Sequence, residues 1–377
     1  MFGRVAYVAL LALAALDAAG YSIIAPVVPE IAAATSADPA VIGALIATFP
    51  TGMVIGFAVA GAGVRRDRTR LVVASGLVLI MAGSAGFVVG DSLAAFFAAR
   101  SVMGLGSGCL WIGVTFATLA RWPGQEYVCM SRILAAYSIG GLIGPALGAI
   151  EGIDGPFLAY GLLAACALLL VPAVGPHGSF AGDRAVLGLP GFWAASAAIV
   201  FTVMALGVVE GVLPLHLAGR LDQSEIGLIY AAVAALVAGS AAVAARFAPR
   251  VDVLAAAVLI TAGLTLAGAT QTVPLWIAAL ILTGAGVGLG NTGSIGMLLD
   301  AVRPERIVTA MIVWSQLGIA GYLLGPVAAG LVADWLGFAA LGLVPLCAGI
   351  VLLGTLRQSA GGTTLHHWRE RACRSGR

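Results

Sequence analysis

The chain has 377 residues, of which 61% are hydrophobic and only 10% charged, with a mean hydropathy of +1.06 and a formal net charge of +2. A soluble protein covers its surface with about 25% charged residues. This composition therefore excludes a soluble domain of appreciable size and requires lipid around much of the chain, and the near-neutral charge gives no reason to expect a nucleic-acid partner.

A helix that crosses a bilayer needs about 20 apolar residues. Segments of that kind are predicted at 5–34, 40–63, 70–90, 93–120, 129–150, 156–174, 188–218, 224–245, 253–271, 273–299, 307–333 and 337–356. They are long and do not alternate, which favours helices over a β-barrel, so the expected fold is an all-α membrane protein of twelve spans. The basic residues are nineteen Arg and no Lys. With the amino terminus placed inside, seventeen Arg fall in inner loops and tails, Arg220 falls outside and Arg100 lies within a helix. That asymmetry puts both termini in the cytoplasm. The outer loops carry acids instead, among them Glu30, Asp38, Asp91, Asp154 and Asp222.

The first segment begins like a signal peptide, with Arg4 and then an apolar run. Asp17 interrupts that run and hydrophobicity resumes through Val28, which fits a retained first helix. Asp17 follows Val5 by roughly 18 Å of helix, near mid-membrane. A carboxyl buried there without a partner can hold a proton at neutral pH. The other reading is a structural Asp, paired with Arg100 or hydrogen-bonded to neighbours. Tyr21 is one turn later on the same face. Between the second and third segments the loop runs Gly63-Val-Arg-Arg-Asp67-Arg68-Thr-Arg70.

The fourth segment contains Arg100 followed by glycines at 104, 106 and 108, and then Trp111 on the Arg100 face. A cation at that depth needs a partner or water. Tyr137 in the fifth segment is a cavity candidate, or a packed core aromatic. The fifth segment then carries Gly140, Gly144, Pro145 and Gly148. The glycines share a face that admits another helix closely, and Pro145 removes a backbone donor and bends the helix.

A loop over 175–187, rich in turn formers, separates the halves. The expected units are a first bundle over 1–174, that linker, a second bundle over 188–356 and a basic, irregular cytoplasmic tail over 357–377. Glu210 in the seventh segment is a second intramembrane acid, one turn before Pro214. The tenth segment has glycines at 284, 286, 288 and 290, followed by Asn291. The eleventh has Trp314, Gln316 and Tyr322 as cavity candidates, and repeats the glycine–proline pattern as Gly321, Gly325 and Pro326. The two copies lie 181 residues apart, close to half the chain. Such duplication is how many transporters form a path at the repeat interface.

The five cysteines and four histidines show no metal or disulfide spacing, and no nucleophile–base pair or phosphate loop is present. No metal, cofactor or enzymatic activity is expected.

On the Gly140–Gly148 pattern, the loop from Gly63 to Arg70 and the Arg100–Gly108 run, the whole chain resembles the major facilitator superfamily, and within it the twelve-helix drug:proton antiporter branch. The run from Asp17 through Pro26 and Pro29 is similar to the first helix of vesicular amine transporters and related bacterial exporters. The resemblance implies two pseudo-symmetric six-helix bundles, with the first, fourth, seventh and tenth helices lining the cavity. Asp17, Arg100, Glu210 and Asn291 fall on those four. It assigns Asp17, Arg100 and Glu210 to proton and substrate handling. It makes Gly63, Asp67, Arg68 and Arg70 a cytoplasmic latch, although the loop is one residue short of the family pattern.

The function so implied is proton-coupled efflux of lipophilic cationic small molecules by alternating access, driven by the proton gradient without a cofactor. A monomer in a bacterial plasma membrane is expected. An exporter of one sugar or secondary metabolite is the alternative, and a non-transporting receptor or assembly factor a remote one.

Overall fold

The computed structural model describes residues 2–122, 126–175, 184–218, 220–244, 247–303 and 306–374. Most of the 175–187 linker lies outside them, as does Arg246. The spans are α1 (Phe2–Ser22, continued by Ala25–Val27 and Val28–Thr35), α2 (Pro39–Val64), α3 (Thr69–Val89), α4 (Leu93–Arg121), α5 (Glu126–Gly148) and α6 (Asp154–Ala167) in the first half. The second half has α7 (Pro190–Gly211, continued by Leu213–Leu217), α8 (Gln223–Ala244), α9 (Pro249–Ala269), α10 (Val273–Ala301), α11 (Ile307–Leu336) and α12 (Leu343–Arg374). Among the described residues eleven spans are long and apolar enough to cross a membrane. The 23-residue α5 makes the twelfth. Large apolar side chains such as Val59, Leu162, Val258 and Val351 face outward, as a lipid-facing surface requires.

One difference from the expected elements is at the end. The chain was expected to turn irregular after 356, yet α12 continues to Arg374. Extending a helix already formed in the bilayer avoids the nucleation cost that an isolated segment faces.

Two spans break where proline dictates. Pro26 supplies no donor and disfavours helical backbone at Ala25, so α1 gives way to a 3₁₀ turn. The α7 ladder ends at Gly211, just before Pro214.

The repeated glycine–proline pattern packs the same way in both halves. In α5, Gly140 and Gly144 lie against the carbonyls of Ala15 and Ala19 of α1, four residues apart. In α11, Gly321 and Gly325 lie against the carbonyls of Val200 and Met204 of α7, again four apart. A methyl group at any of these glycines would overlap the opposing backbone. Pro145 leaves the carbonyl of Gly141 without its helical donor, and the hydroxyl of Ser22 donates to it from α1 at 3.2 Å.

Each proline-bearing helix also meets the other half. The backbone around Pro145 packs on Gly227 of α8, and that around Pro326 on Gly43 of α2, while Gly330 meets Pro39 and Ala40. All these contacts lie toward the end of the bundle remote from the chain's beginning, hereafter the distal end. Gln223 reinforces them at the first turn of α8. Its Nε2 donates to the carbonyls of Gly148 (2.9 Å), Ile150 (2.7 Å) and Gly152 (3.0 Å), and its Oε1 accepts from the Gly152 N–H at 2.9 Å. Asp222 caps the Glu225 N–H at 2.7 Å and Glu225 accepts from the Asp222 N–H at 3.0 Å. This reciprocal capping box fixes where α8 starts and so where Gln223 points.

Candidate functional site

Among the described residues four charged side chains are buried. Asp252 sits in the first turn of α9. The other three, Asp17, Arg100 and Glu210, lie on α1, α4 and α7.

Asp17 is fully buried. Its Oδ1 accepts a hydrogen bond from the Ser107 hydroxyl of α4 at 2.6 Å. Its Oδ2 has no partner. Ser107 stands in the middle of the 104–108 glycine run, where a small residue lets α4 approach closely enough for the bond to form. A buried acid with one free oxygen is poised to carry a proton or to meet a cation.

Among the described residues Arg100 makes no ion pair with Asp17, whose carboxyl is bonded to Ser107. Its two terminal nitrogens donate to the backbone carbonyls of Gly20 (2.9 Å) and Tyr21 (3.0 Å), and its guanidinium lies 4.1 Å from the centre of the Phe49 ring. The cause is the break in α1. Among the described residues neither Ile24 nor Ala25 donates back to those two carbonyls, so the helix ends with exposed acceptors. A planar fork with a positive charge suits such an end.

Glu210 ends α7 and accepts from the Tyr322 hydroxyl of α11 at 2.7 Å. The Tyr322 ring lies 4.0 Å from that of Tyr21 across the halves, and Tyr21 meets Phe49 edge-on at 5.3 Å. These three rings lie on the distal side of Asp17. Trp111 and Tyr137 meet edge-on at 5.1 Å.

The remaining expected residues are less engaged. Asn291 is half-buried, and Gln316 is exposed on α11. Trp314 is buried in the second half's core with its indole N–H unpartnered. The Gly63–Arg70 loop forms a tight turn in which Asp67 adopts a left-handed backbone at φ 57°. Arg70 donates from Nε to the carbonyl of Val174, at the end of the same half. Gly148 packs on Ile23 and Pro26 of α1.

Sequence reasoning missed Ser107, Phe49, Ser22 and Gln223. Ser107 alone carried a signal, as the one hydroxyl within a glycine run facing a buried acid.

A comparison with curated protein sequences finds no match. Among solved structures the chain is similar to a D-xylose–proton symporter, at a TM-score of 0.78 and 14% identity, covering 94% of this chain and 97% of that one. It is also similar to a bacterial homologue of the human lysosomal transporter Spinster, in an inward-facing unoccupied conformation, at 0.71 and 14% identity with 96% of each chain covered. A human organic anion transporter aligns at 0.65 and 17% identity, over 94% of this chain and 99% of that one. At such identities these likenesses speak for the fold alone. The sequence itself matches the family model for the Major Facilitator Superfamily over residues 10–252 and 195–364. With two six-helix bundles, a doubled glycine–proline face and this family match over most of its length, the chain belongs to the Major Facilitator Superfamily.

Proposed function

We propose that this transporter is a proton-coupled exporter of lipophilic, cationic small molecules in a bacterial plasma membrane, working as a monomer by alternating access. The observation that carries the reading is the pair of buried carboxyls, Asp17 and Glu210, each held by one hydroxyl and neither ion-paired among the described residues. Tyr21, Tyr137, Trp111 and Tyr322 line the surroundings, and aromatic faces attract organic cations. Arg100 is committed to two backbone carbonyls, which weighs against an anionic cargo.

The arginine distribution supports cytoplasmic termini. In that orientation the distal end is the outer face. The halves close there through Gln223, Pro145 and Pro326, so this conformation is shut toward the outside. The carboxyls then take a cation from the cytoplasm and exchange it for a proton from outside. The proton gradient supplies the energy, and each ligand must favour one access state over the other for coupling to arise. Gly63, Asp67, Arg68 and Arg70 serve as a latch between cytoplasmic ends in the outward-facing state.

The test is accumulation of a fluorescent cation in inverted vesicles under a proton gradient. Loss of accumulation in Asp17→Asn and Glu210→Gln is expected. Unchanged transport in both variants contradicts the reading.

A further inference from the structure

Tyr322 touches both halves at once. Its hydroxyl donates to Glu210 in its own half at 2.7 Å, and its ring lies 4.0 Å from the Tyr21 ring in the other half. It is fully buried, and α7 packs on its backbone at Gly207. Tyr21 is fixed in turn, by the Phe49 ring and by the Arg100 bond to its carbonyl. The Tyr21–Tyr322 contact is therefore a seal between the halves on the distal side of Asp17, and a carboxylate orients one of its two rings.

We propose that Tyr322 is a positioning residue that holds the outer seal shut when Glu210 is ionised and empty, and releases it when a proton or a cation neutralises Glu210. The proposal rests on the exchange reading above. An exchanger leaks its gradient if the empty carrier changes sides, whereas both loaded forms must be able to. A hydrogen bond to an ionised acceptor is roughly twice as strong as one to a neutral group. The empty carboxylate therefore grips the phenol and keeps its ring on Tyr21. The same carboxyl, once protonated or covered by a cation, lets the ring swing away.

The groups that face Glu210 electrostatically are Tyr21 of α1, Arg100 of α4, Tyr137 of α5, Tyr230 of α8 and Tyr322 of α11. Four are phenols, and the fifth is an Arg that stays charged. Glu210 is the carboxyl of this set. The other distal closure, at Gln223, does not titrate. Its neighbour Asp222 is held below the usual carboxylate range by the Glu225 N–H and the Ser224 hydroxyl.

The test uses the full chain in nanodiscs with its native cysteines replaced. Spin labels on Asp91→Cys and Gln271→Cys, exposed at the distal ends of the two halves, report the distance across the outer face. The wild type is expected to favour the short distance at mildly alkaline pH and to open as pH falls. Tyr322→Phe keeps the ring and loses the bond. At alkaline pH its open share is expected to rise about tenfold, the scale of one hydrogen bond to a charged group, with the pH response lost. Glu210→Gln, which leaves Tyr322 intact, is expected to do the same. A wild-type profile in either variant, or a wild-type distance that ignores pH, overturns the proposal. Cation transport measured on the same proteins separates the two readings. A protein that moves no cation but loses its pH response in Tyr322→Phe sinks the exporter reading alone. Coupled transport with an unaltered Tyr322→Phe profile sinks the seal alone.

Discussion

Gln223 donates to the Gly152 carbonyl at 3.0 Å and accepts from the Gly152 N–H at 2.9 Å, so one side chain of the second half satisfies both backbone polar groups of a residue in the first. Two further carbonyls, of Gly148 and Ile150, share the same amide.

Each neutral hydrogen bond contributes about 1 kcal/mol net. Gln223→Ala is therefore expected to shift the distal ends toward separation by about tenfold, read from the distance across the outer face. Gln223→Glu is expected to open them further at neutral pH, because an ionised carboxylate only accepts and faces three carbonyls. Acidification restores one donor and partly reverses the effect. Equal distances in Ala, Glu and wild type would show that Gln223 holds nothing.

Gly140 and Gly141 are neighbours with opposite surroundings. A methyl at Gly140 overlaps the Ala15 carbonyl, whereas one at Gly141 meets nothing within 4 Å. Gly140→Ala and Gly325→Ala are expected to lower the thermal unfolding midpoint in detergent or to prevent folding. Gly141→Ala is expected to be neutral or stabilising by up to ~1 kcal/mol, the helix-propensity difference. A similar loss at 140 and 141 would mean that close helix approach is not what the pattern provides.

Arg100 ties α4 to the broken end of α1 rather than to Asp17. Arg100→Lys replaces a planar fork by a point charge that cannot serve both carbonyls equally. A loss of about 1.5–3 kcal/mol of stability is expected, the scale of one hydrogen bond to a charged group. Asp17→Asn should neither rescue nor deepen that loss, since the two side chains share no bond. A double-mutant cycle measures this, and a coupling above roughly 0.5 kcal/mol would restore the ion pair.

The spans and the doubled packing face were legible because they rest on hydropathy and on residues four apart, whereas the breaks at Pro26 and before Pro214 emerged only in the fold. The intramembrane acids stood out because charge is rare at that depth. The partners of those charges were not legible. Arg100 binds backbone carbonyls, which every residue has, and they become available only because Pro26 stops the ladder nearby. Tyr322 read as one of several aromatics, and only the fold places its hydroxyl on Glu210 and its ring on Tyr21. Gln223 read as a polar residue at a helix start, since its partners lie more than seventy residues earlier.

The central claim is that a cation and a proton compete for the same two carboxyls. The most direct measurement is proton release when a lipophilic cation such as tetraphenylphosphonium is added to the purified protein in weakly buffered solution with a pH indicator. Release is expected in the wild type, strongest at mildly acid pH, and to be lost in the Asp17→Asn, Glu210→Gln double variant. Saturable cation binding without proton release, or release undiminished in the double variant, would contradict it.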